Sequence, residues 1–144
     1  MKLQWFLFPR FLSLLLVLVI SFTAGRVAAQ SENELYRTTI GSDGVQHVNI
    51  LAGDYFFRPR YIIVKVNVPV MLVVRMEQGI IPHDLVLKAP KANISIDEDL
   101  NQQSQTFTFT PTAPGKYAFY CPNKLLFFKS HREHGMEGVL EVAE

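Results

Sequence analysis

The sequence predicts an all-β sandwich, and three observations support that prediction. Short runs rich in β-branched and aromatic residues recur from residue 46 onward. Glycine and proline separate these runs at short intervals, as turns separate strands. In SQTFTFTP (104–111), Phe107 and Phe109 alternate with threonines, which is the period-2 pattern of a strand with one polar face. We therefore expect antiparallel sheets packed face to face.

The predicted strands follow one another along the chain. They are QHVNILAGDYFF (46–57), YIIVKV (61–66), VPVMLVVRM (68–76), HDLVL (83–87), SQTFTFTP (104–111), TAPGKYAFYC (112–121) and GVLEVA (138–143). Met71 and Met76 fall inside a strand and are expected in the core. Asp84 and the acidic stretch Asp97, Glu98 and Asp99 are interpreted as solvated residues of turns and a polar loop.

The first 29 residues are expected to be a signal peptide that precedes the fold. Lys2 and Arg10 come before an apolar run at 11–22, and small residues follow up to Ala29. The run is shorter than the about 20 apolar residues that cross a bilayer, which favours cleavage after Ala29 over a retained membrane anchor. We therefore expect an exported protein, periplasmic or otherwise secreted. A flexible N-terminal segment is predicted at 30–45 and one domain at 46–144.

Without its leader the chain is slightly acidic. The full chain has 14 Lys and Arg against 13 Asp and Glu, and the leader contains three of the basic residues and no acidic one. The remaining 115 residues therefore carry 11 basic and 13 acidic side chains. With no basic stripe, there is no electrostatic case for nucleic-acid binding. This length suits a single small domain, which we expect to be a monomer without a membrane span.

The single cysteine, Cys121, is the most informative residue. It cannot form an internal disulfide, so it is a buried inert thiol, an intermolecular bridge or a ligand. A free exposed thiol is easily oxidised outside the cell, and metal ligation is one way to protect it. Cys121 ends a predicted strand, His131 and Met136 lie on the loop that follows, and His83 opens another strand.

These four residues offer a thiolate, two imidazoles and a thioether. Such soft to borderline donors favour copper over hard cations, and zinc is the main competitor for cysteine and histidine. Each residue also has a structural alternative. Cys121 would suit the core as a small apolar residue and Met136 as a filler, while His83 and His131 would suit the rim and a solvated loop. The four together favour a metal site.

Three stretches resemble the cupredoxin family, the small blue copper proteins, and above all its plastocyanin-like members. They are YFFRPRYIIVKVNVPVMLVVR, IPHDLVL, and AFYC followed by a histidine and MEGVLEV, within residues 46–143. The resemblance implies a Greek-key sandwich of about eight strands with one copper ion at one end. The ligands that it implies are His83, Cys121, His131 and Met136. It further implies a type 1 (blue) copper protein that carries single electrons between redox partner proteins, such as cytochromes or a membrane oxidase or reductase, and is not an enzyme.

The ligand loop departs from the family pattern. Nine residues, PNKLLFFKS, separate Cys121 from His131, whereas plastocyanin-like proteins have a shorter spacing. The apolar side chains at 125–128 have three possible roles: covering the metal, docking a partner, or filling a gap in the core. His134 is a rival for the second imidazole, but only one residue separates it from Met136. His47 is interpreted as structural or surface.

Two other functions are open at this stage. A copper-delivery protein would use several methionines and histidines near an exposed surface, and this chain has only Met136 close to the site. A red-copper protein would have an open coordination position and an oxygen ligand such as Glu77. A binuclear copper centre needs two cysteines and is excluded. For an electron carrier, one imidazole is expected to be exposed at the rim as the electron exit. No catalytic base or nucleophile triad is evident.

Overall fold

The strands of the computed structural model, which describes residues 35–144, follow the β-branched runs of the sequence. In chain order they are β1 Leu35–Arg37, β2 Gln46–Gly53, β3 Phe56–Arg58, β4 Tyr61–Lys65, β5 Val70–Met76, β6 His83–Ala89, β7 Ile94–Leu100, β8 Gln105–Phe109, β9 Gly115–Tyr120 and β10 Glu137–Ala143. Short 3₁₀ turns occupy Pro90–Ala92 and Arg132–His134. The all-β prediction is confirmed.

The strands of the described part form two sheets. The larger has the order β1-β4-β10-β9-β6-β7 and the smaller the order β3-β2-β5-β8. Both sheets are mixed, because β2 runs parallel to β5, and β4 runs parallel to β1 and to β10. The prediction of antiparallel sheets is therefore wrong for these three pairs. Apolar alternation shows which face of a strand is buried, but it contains no information about which strand is the neighbour.

The core lies between the two sheets. On β2 and β5 the inward positions alternate with outward ones, so that Val48, Ile50, Val70, Leu72 and Val74 are buried. Phe57 of the smaller sheet meets Phe119 of the larger one edge to face, with ring centroids 5.4 Å apart. Aromatic pairs of this geometry add stability beyond the area that they bury. The sandwich predicted from the alternation is therefore present.

Strand β7 occupies the place of a predicted polar loop. Ile94, Ile96 and Leu100 point into the core, whereas the acidic side chains at 97–99 are exposed. β7 is the last strand of its sheet, and charged side chains on an edge strand discourage pairing with a second chain. The polar-loop interpretation of Asp97, Glu98 and Asp99 is thus wrong, because these acidic residues belong to a strand that is anchored by the buried side chains of Ile94, Ile96 and Leu100.

Part of the predicted N-terminal segment is also in the sheet. β1 pairs with β4, and the amide of Thr38 donates a hydrogen bond to the carbonyl of Ile63 at 3.0 Å. The Thr38 hydroxyl donates to the buried side chain of Gln46 at 2.8 Å. The predicted signal peptide and residues 30–34 lie outside the described residues, so the domain limits stay predictions. Within residues 35–144, no helix is long and apolar enough to span a membrane.

Candidate metal centre

The strand order places His83 and Cys121 at the same end of the larger sheet. β6 runs antiparallel to β9, with Val86 opposite Tyr120, so the residues that follow β9 run alongside the first residues of β6. The amide of Asp84 donates a hydrogen bond to Sγ of Cys121 at 3.3 Å. This bond joins the two segments directly, although Asp84 and Cys121 are 37 positions apart in sequence.

His131 completes a compact group with these two residues. Its Nδ1 atom lies 3.4 Å from Sγ of Cys121 and 3.1 Å from Nδ1 of His83, while the Cys121 sulfur is 4.0 Å from Nδ1 of His83. The exposed fractions are 0% for Cys121, 1% for His83 and 7% for His131. Among residues 35–144, this is the group whose donor atoms are close enough together to hold one metal ion.

Backbone hydrogen bonds fix the loop that carries Cys121, His131 and Met136. The Cys121 amide donates to the carbonyl of Met136 at 3.1 Å, and the Met136 amide donates to the carbonyl of His131 at 2.9 Å. The Arg132 amide donates to the carbonyl of Cys121 at 3.0 Å. The base of the loop therefore holds these three residues without help from a ligand. The Met136 side chain is fully buried, five positions after His131 in sequence.

The long spacing between Cys121 and His131 is absorbed by a protruding segment. The His131 amide donates to the carbonyl of Asn123 at 2.7 Å, which closes a neck between those residues. Residues 124–129 lie beyond the neck and are all exposed. The Asn123 side chain donates to Asp84 Oδ1 at 2.9 Å and to the carbonyl of Pro82 at 3.2 Å, which ties the neck to β6. The extra residues of the long spacing therefore lie in the protruding segment, and they do not lengthen the part of the loop that carries Cys121 and His131.

Burial sets the protonation of the group. It lowers the pKa of His83 and of His131, and for His131 the neighbouring imidazoles of His83 and His134 lower the pKa further. Both rings are thus neutral near pH 7, which is the form that binds metals. Burial raises the pKa of the Cys121 thiol, and the Asp84 amide opposes that change. A metal ion would have to displace the thiol proton on binding.

One polar atom in the site has no hydrogen-bond partner among the described residues. It is Nε2 of His83, which is completely buried. The Oδ1 atom of Asp54 lies 3.6 Å from it, just beyond hydrogen-bonding distance. Histidine ligands of metals usually donate their second ring nitrogen to a carboxylate, carbonyl or water. Asp54 is therefore placed to orient the His83 ring with a small movement.

Tyr55 covers the outer side of the group. Its ring lies edge-on to His131, with centroids 5.0 Å apart, and it also packs on His134 at 4.7 Å. The Tyr55 backbone has a φ of 65°, in the left-handed region that tyrosine rarely adopts. The expectation of an exposed imidazole at the rim is wrong, because Tyr55 covers the His131 ring.

The structure separates the other candidates from the group. His134 is exposed, and it is not among the residues whose donor atoms lie together. Glu77 is also exposed and absent from the group. His47 is at the surface, where its Nε2 lies 2.8 Å from Asp43. Met76 is in the core and Met71 is half-buried, so the core assignment is confirmed for Met76.

The apolar residues of the long loop do not fill the core. Leu125, Leu126, Phe127 and Phe128 are among the most exposed large apolar side chains of the described residues. The core-filling alternative is therefore wrong.

Sequence reasoning missed Asp54, Tyr55 and Asn123. Asp54 and Tyr55 lie in a turn that splits one predicted strand into β2 and β3, and Gly53-Asp54 is a turn signal that could have revealed it.

Comparison with known proteins identifies the fold. No protein-family model and no curated protein sequence matches the chain. The metal-binding domain of the Cu(I)-exporting P-type ATPase CopA of Streptococcus pneumoniae, solved with Cu(I), is 17% identical, with a TM-score of 0.58 over 78% of this chain and 98% of that one. Auracyanin of Roseiflexus castenholzii is 21% identical, with a TM-score of 0.54 over 68% and 97%. The "blue" copper protein auracyanin A of Chloroflexus aurantiacus is 19% identical, with a TM-score of 0.53 over 69% and 100%.

These likenesses show that the chain has the cupredoxin fold. The resemblance predicted from three stretches of sequence is confirmed at the level of the fold. The His83, Cys121 and His131 group could hold one metal ion.

Proposed function

We propose that the chain is an exported type 1 copper protein that carries single electrons. The observation that supports this proposal most strongly is the buried thiol of Cys121 beside the Nδ1 atoms of His83 and His131, at 4.0 and 3.4 Å. A cysteine and two histidines with a weak axial methionine form the donor set of blue-copper electron-transfer sites. Met136 is our candidate for the axial ligand.

The residues present fit a copper ion. A thiolate and two neutral imidazoles are soft to borderline donors, and burial of all three excludes the water that hard cations retain. Zinc also accepts cysteine and histidine, but a thioether is not among its usual ligands. Copper is therefore the metal that we assign to His83, Cys121, His131 and Met136.

The protein's own part is to hold this site rigid and dry. A bound copper ion would supply the one-electron Cu(I)/Cu(II) couple. The backbone bonds of the ligand loop fix Cys121 and His131 before any metal binds, so little rearrangement accompanies a change of charge. The Asp84 amide donates to Sγ of Cys121 and withdraws electron density from the sulfur. Tyr55 shields His131 from water and is itself 38% exposed, so one aromatic ring separates that imidazole from the surface.

The same geometry argues against a red-copper enzyme. Such a protein needs an open coordination position that a small molecule can reach, whereas the donor atoms here are buried. It would also use an oxygen ligand, and Glu77 is exposed and outside the group.

Copper delivery is the second candidate, because one similar fold is the metal-binding domain of a Cu(I)-exporting ATPase. A delivery site releases its metal to a partner, and a buried site under Tyr55 favours retention.

Export and partners complete the proposal. The predicted leader would send the protein to the periplasm or outside the cell. There we expect it to exchange electrons with partner proteins such as cytochromes or a membrane oxidase or reductase, and to act as a monomer.

Protein-film voltammetry of the copper-loaded chain tests the electron-carrier function. We expect a reversible one-electron wave that persists over repeated cycles and is lost in Cys121→Ser. Loss of the metal on each reduction, or transfer of Cu(I) to an acceptor without a stable wave, would assign the protein to copper delivery instead.

A further inference from the structure

A tight apolar turn stands at the tip of the protruding segment, which we name the apolar turn and define as residues 124–129. The Phe128 amide donates to the carbonyl of Leu125 at 3.0 Å, and Leu126 has a φ of 50°. Leu126 and Phe127 therefore occupy the corners of the turn. They are 72% and 87% exposed, and neither belongs to the hydrophobic core or to the partly buried side chains packed against it.

The contact between Asn123 and His131 at the base of the segment holds the apolar turn away from the sandwich. The bond from the His131 amide to the Asn123 carbonyl brings the two ends of the segment together. The rings of Phe127 and Phe128 pack on one another, with centroids 5.0 Å apart. Four consecutive large apolar side chains thus project from one small point on the molecule. Exposed apolar clusters are uncommon on soluble domains and mark interaction sites.

The charges around the turn indicate what it contacts. Lys124 and Lys129 flank the four apolar residues and are both exposed. Glu133 is an acidic residue near these lysines. Its carboxylate accepts hydrogen bonds from the amide and hydroxyl of Ser130 at 2.7 and 2.8 Å. Apolar and aromatic side chains flanked by lysines match a lipid interface, where the rings enter the acyl boundary and the ammonium groups reach the phosphates.

We propose that the apolar turn inserts into the surface of an anionic phospholipid membrane. A protein partner usually covers about 800 Å² of a surface built from many residues. Four consecutive side chains on one turn are too narrow for that, but they suit insertion to the shallow depth reached by interfacial segments. Each lysine adds attraction to anionic headgroups. The contact would turn the metal-binding end toward the membrane, and it does not depend on copper.

Tryptophan fluorescence on the metal-free chain without the predicted leader, residues 30–144, tests this proposal. The single tryptophan, Trp5, lies in that leader, so the variant Phe127→Trp of this chain carries one tryptophan, at the tip. We expect its emission to shift to the blue, and to be quenched by brominated acyl chains, in vesicles of phosphatidylcholine with phosphatidylglycerol. Pure phosphatidylcholine vesicles should give a much weaker response. Replacing Lys124 and Lys129 by glutamine should weaken binding to the anionic vesicles about 30-fold, or about fivefold per lysine.

Ile40→Trp in the same chain is the matched control. Ile40 is half-exposed beside the start of β2, whereas the turn that follows β2 carries Asp54 and Tyr55 at the metal-binding end. Its tryptophan should respond to neither kind of vesicle. An unchanged spectrum at position 127, or an equal response at position 40, would overturn the proposal. If position 127 ignores vesicles but Leu126→Ser, Phe127→Ser slows electron transfer to a partner protein, the turn docks protein and the lipid assignment is wrong.

Discussion

The Nδ1 atoms of His83 and His131 face each other at 3.1 Å, although the two histidines are 48 positions apart in sequence. One ring is carried by the start of β6 and the other by the loop between β9 and β10. Two neutral imidazoles can form one hydrogen bond at this contact, and only when one Nδ1 carries a proton that it donates to the lone pair of the other. A metal ion bound by both rings and by Cys121 would satisfy the lone pairs of all three donors.

Substitution can distinguish which of the two candidate imidazoles of the loop, His131 or His134, binds the metal. His131→Ala should weaken Cu(II) binding by more than about 100-fold, because even residues that only support ligands cost 10–100-fold. His134→Ala should change it only a few-fold, since His134 is outside the donor group. Competition with a chelator measures both affinities. A large loss in His134→Ala with little loss in His131→Ala would move the second imidazole to His134.

Tyr55 should slow the escape of the metal. Tyr55→Gly removes the ring that covers His131, and it also suits the left-handed backbone at this position. We therefore expect a chelator to extract copper several-fold faster, with little change in the thermal unfolding temperature.

Asn67→Gly is the control, because Asn67 also has a positive φ but precedes β5 at the opposite end from the site. Equal extraction rates in Tyr55→Gly and the unaltered chain would show that the ring does not shield the site.

Gly138 is required where β10 passes over the core. A Cβ at this position would lie 2.2 Å from the Phe119 ring and 2.5 Å from the carbonyl oxygen of Arg60. Gly138→Ala should therefore lower the free energy of unfolding by about 1–3 kcal/mol, the usual cost of overpacking. Gly79→Ala should have little effect, since the nearest atom to its Cβ is 3.7 Å away. Urea unfolding of the metal-free protein compares them, and equal stabilities would contradict this explanation.

Glu141 should make the stability depend on acid pH. The Tyr61 hydroxyl donates to its carboxylate and Lys116 lies 3.6 Å away, and these partners lower the pKa of Glu141. Because the pKa of Glu141 is lower in the folded chain than in the unfolded chain, this carboxylate stabilises the fold fully at pH values above its unfolded-state pKa. That stabilisation is lost as the pH falls through its folded-state pKa. Relative to Glu141→Gln, the unaltered chain should be more stable at pH 7, and the difference should disappear well below about pH 4. A difference that is constant with pH would contradict the prediction.

The sequence was most informative where alternation was regular. Phe107 and Phe109 of β8 show the predicted half-buried face, and Thr106 and Thr108, which alternate with them, are exposed. The prediction from sequence failed at β7, because acidic residues occupy exposed positions of this edge strand. Parallel neighbours such as β2 and β5 could not be predicted either, because pairing depends on contacts between distant segments.

The candidate site was predictable only in its ligand residues. Cys121, His83 and His131 are marked by residue type and by their places at strand ends, and the structure brings them together. Asp54 and Tyr55 carry no such mark, since their roles depend on a turn between β2 and β3 that folds over the site. The course of residues 124–129 depends on backbone bonds, from His131 to Asn123 and from Phe128 to Leu125, and on the Asn123 side chain, and no pattern in the sequence reveals these contacts.

The visible absorption spectrum of the Cu(II)-loaded chain, beside that of Cys121→Ser, tests the central claim most directly. A trigonal site with a thiolate ligand predicts an intense band near ~600 nm that disappears in the serine variant. A pale Cu(II) spectrum that Cys121→Ser leaves unchanged would contradict the account, because the buried thiol would then not bind the metal.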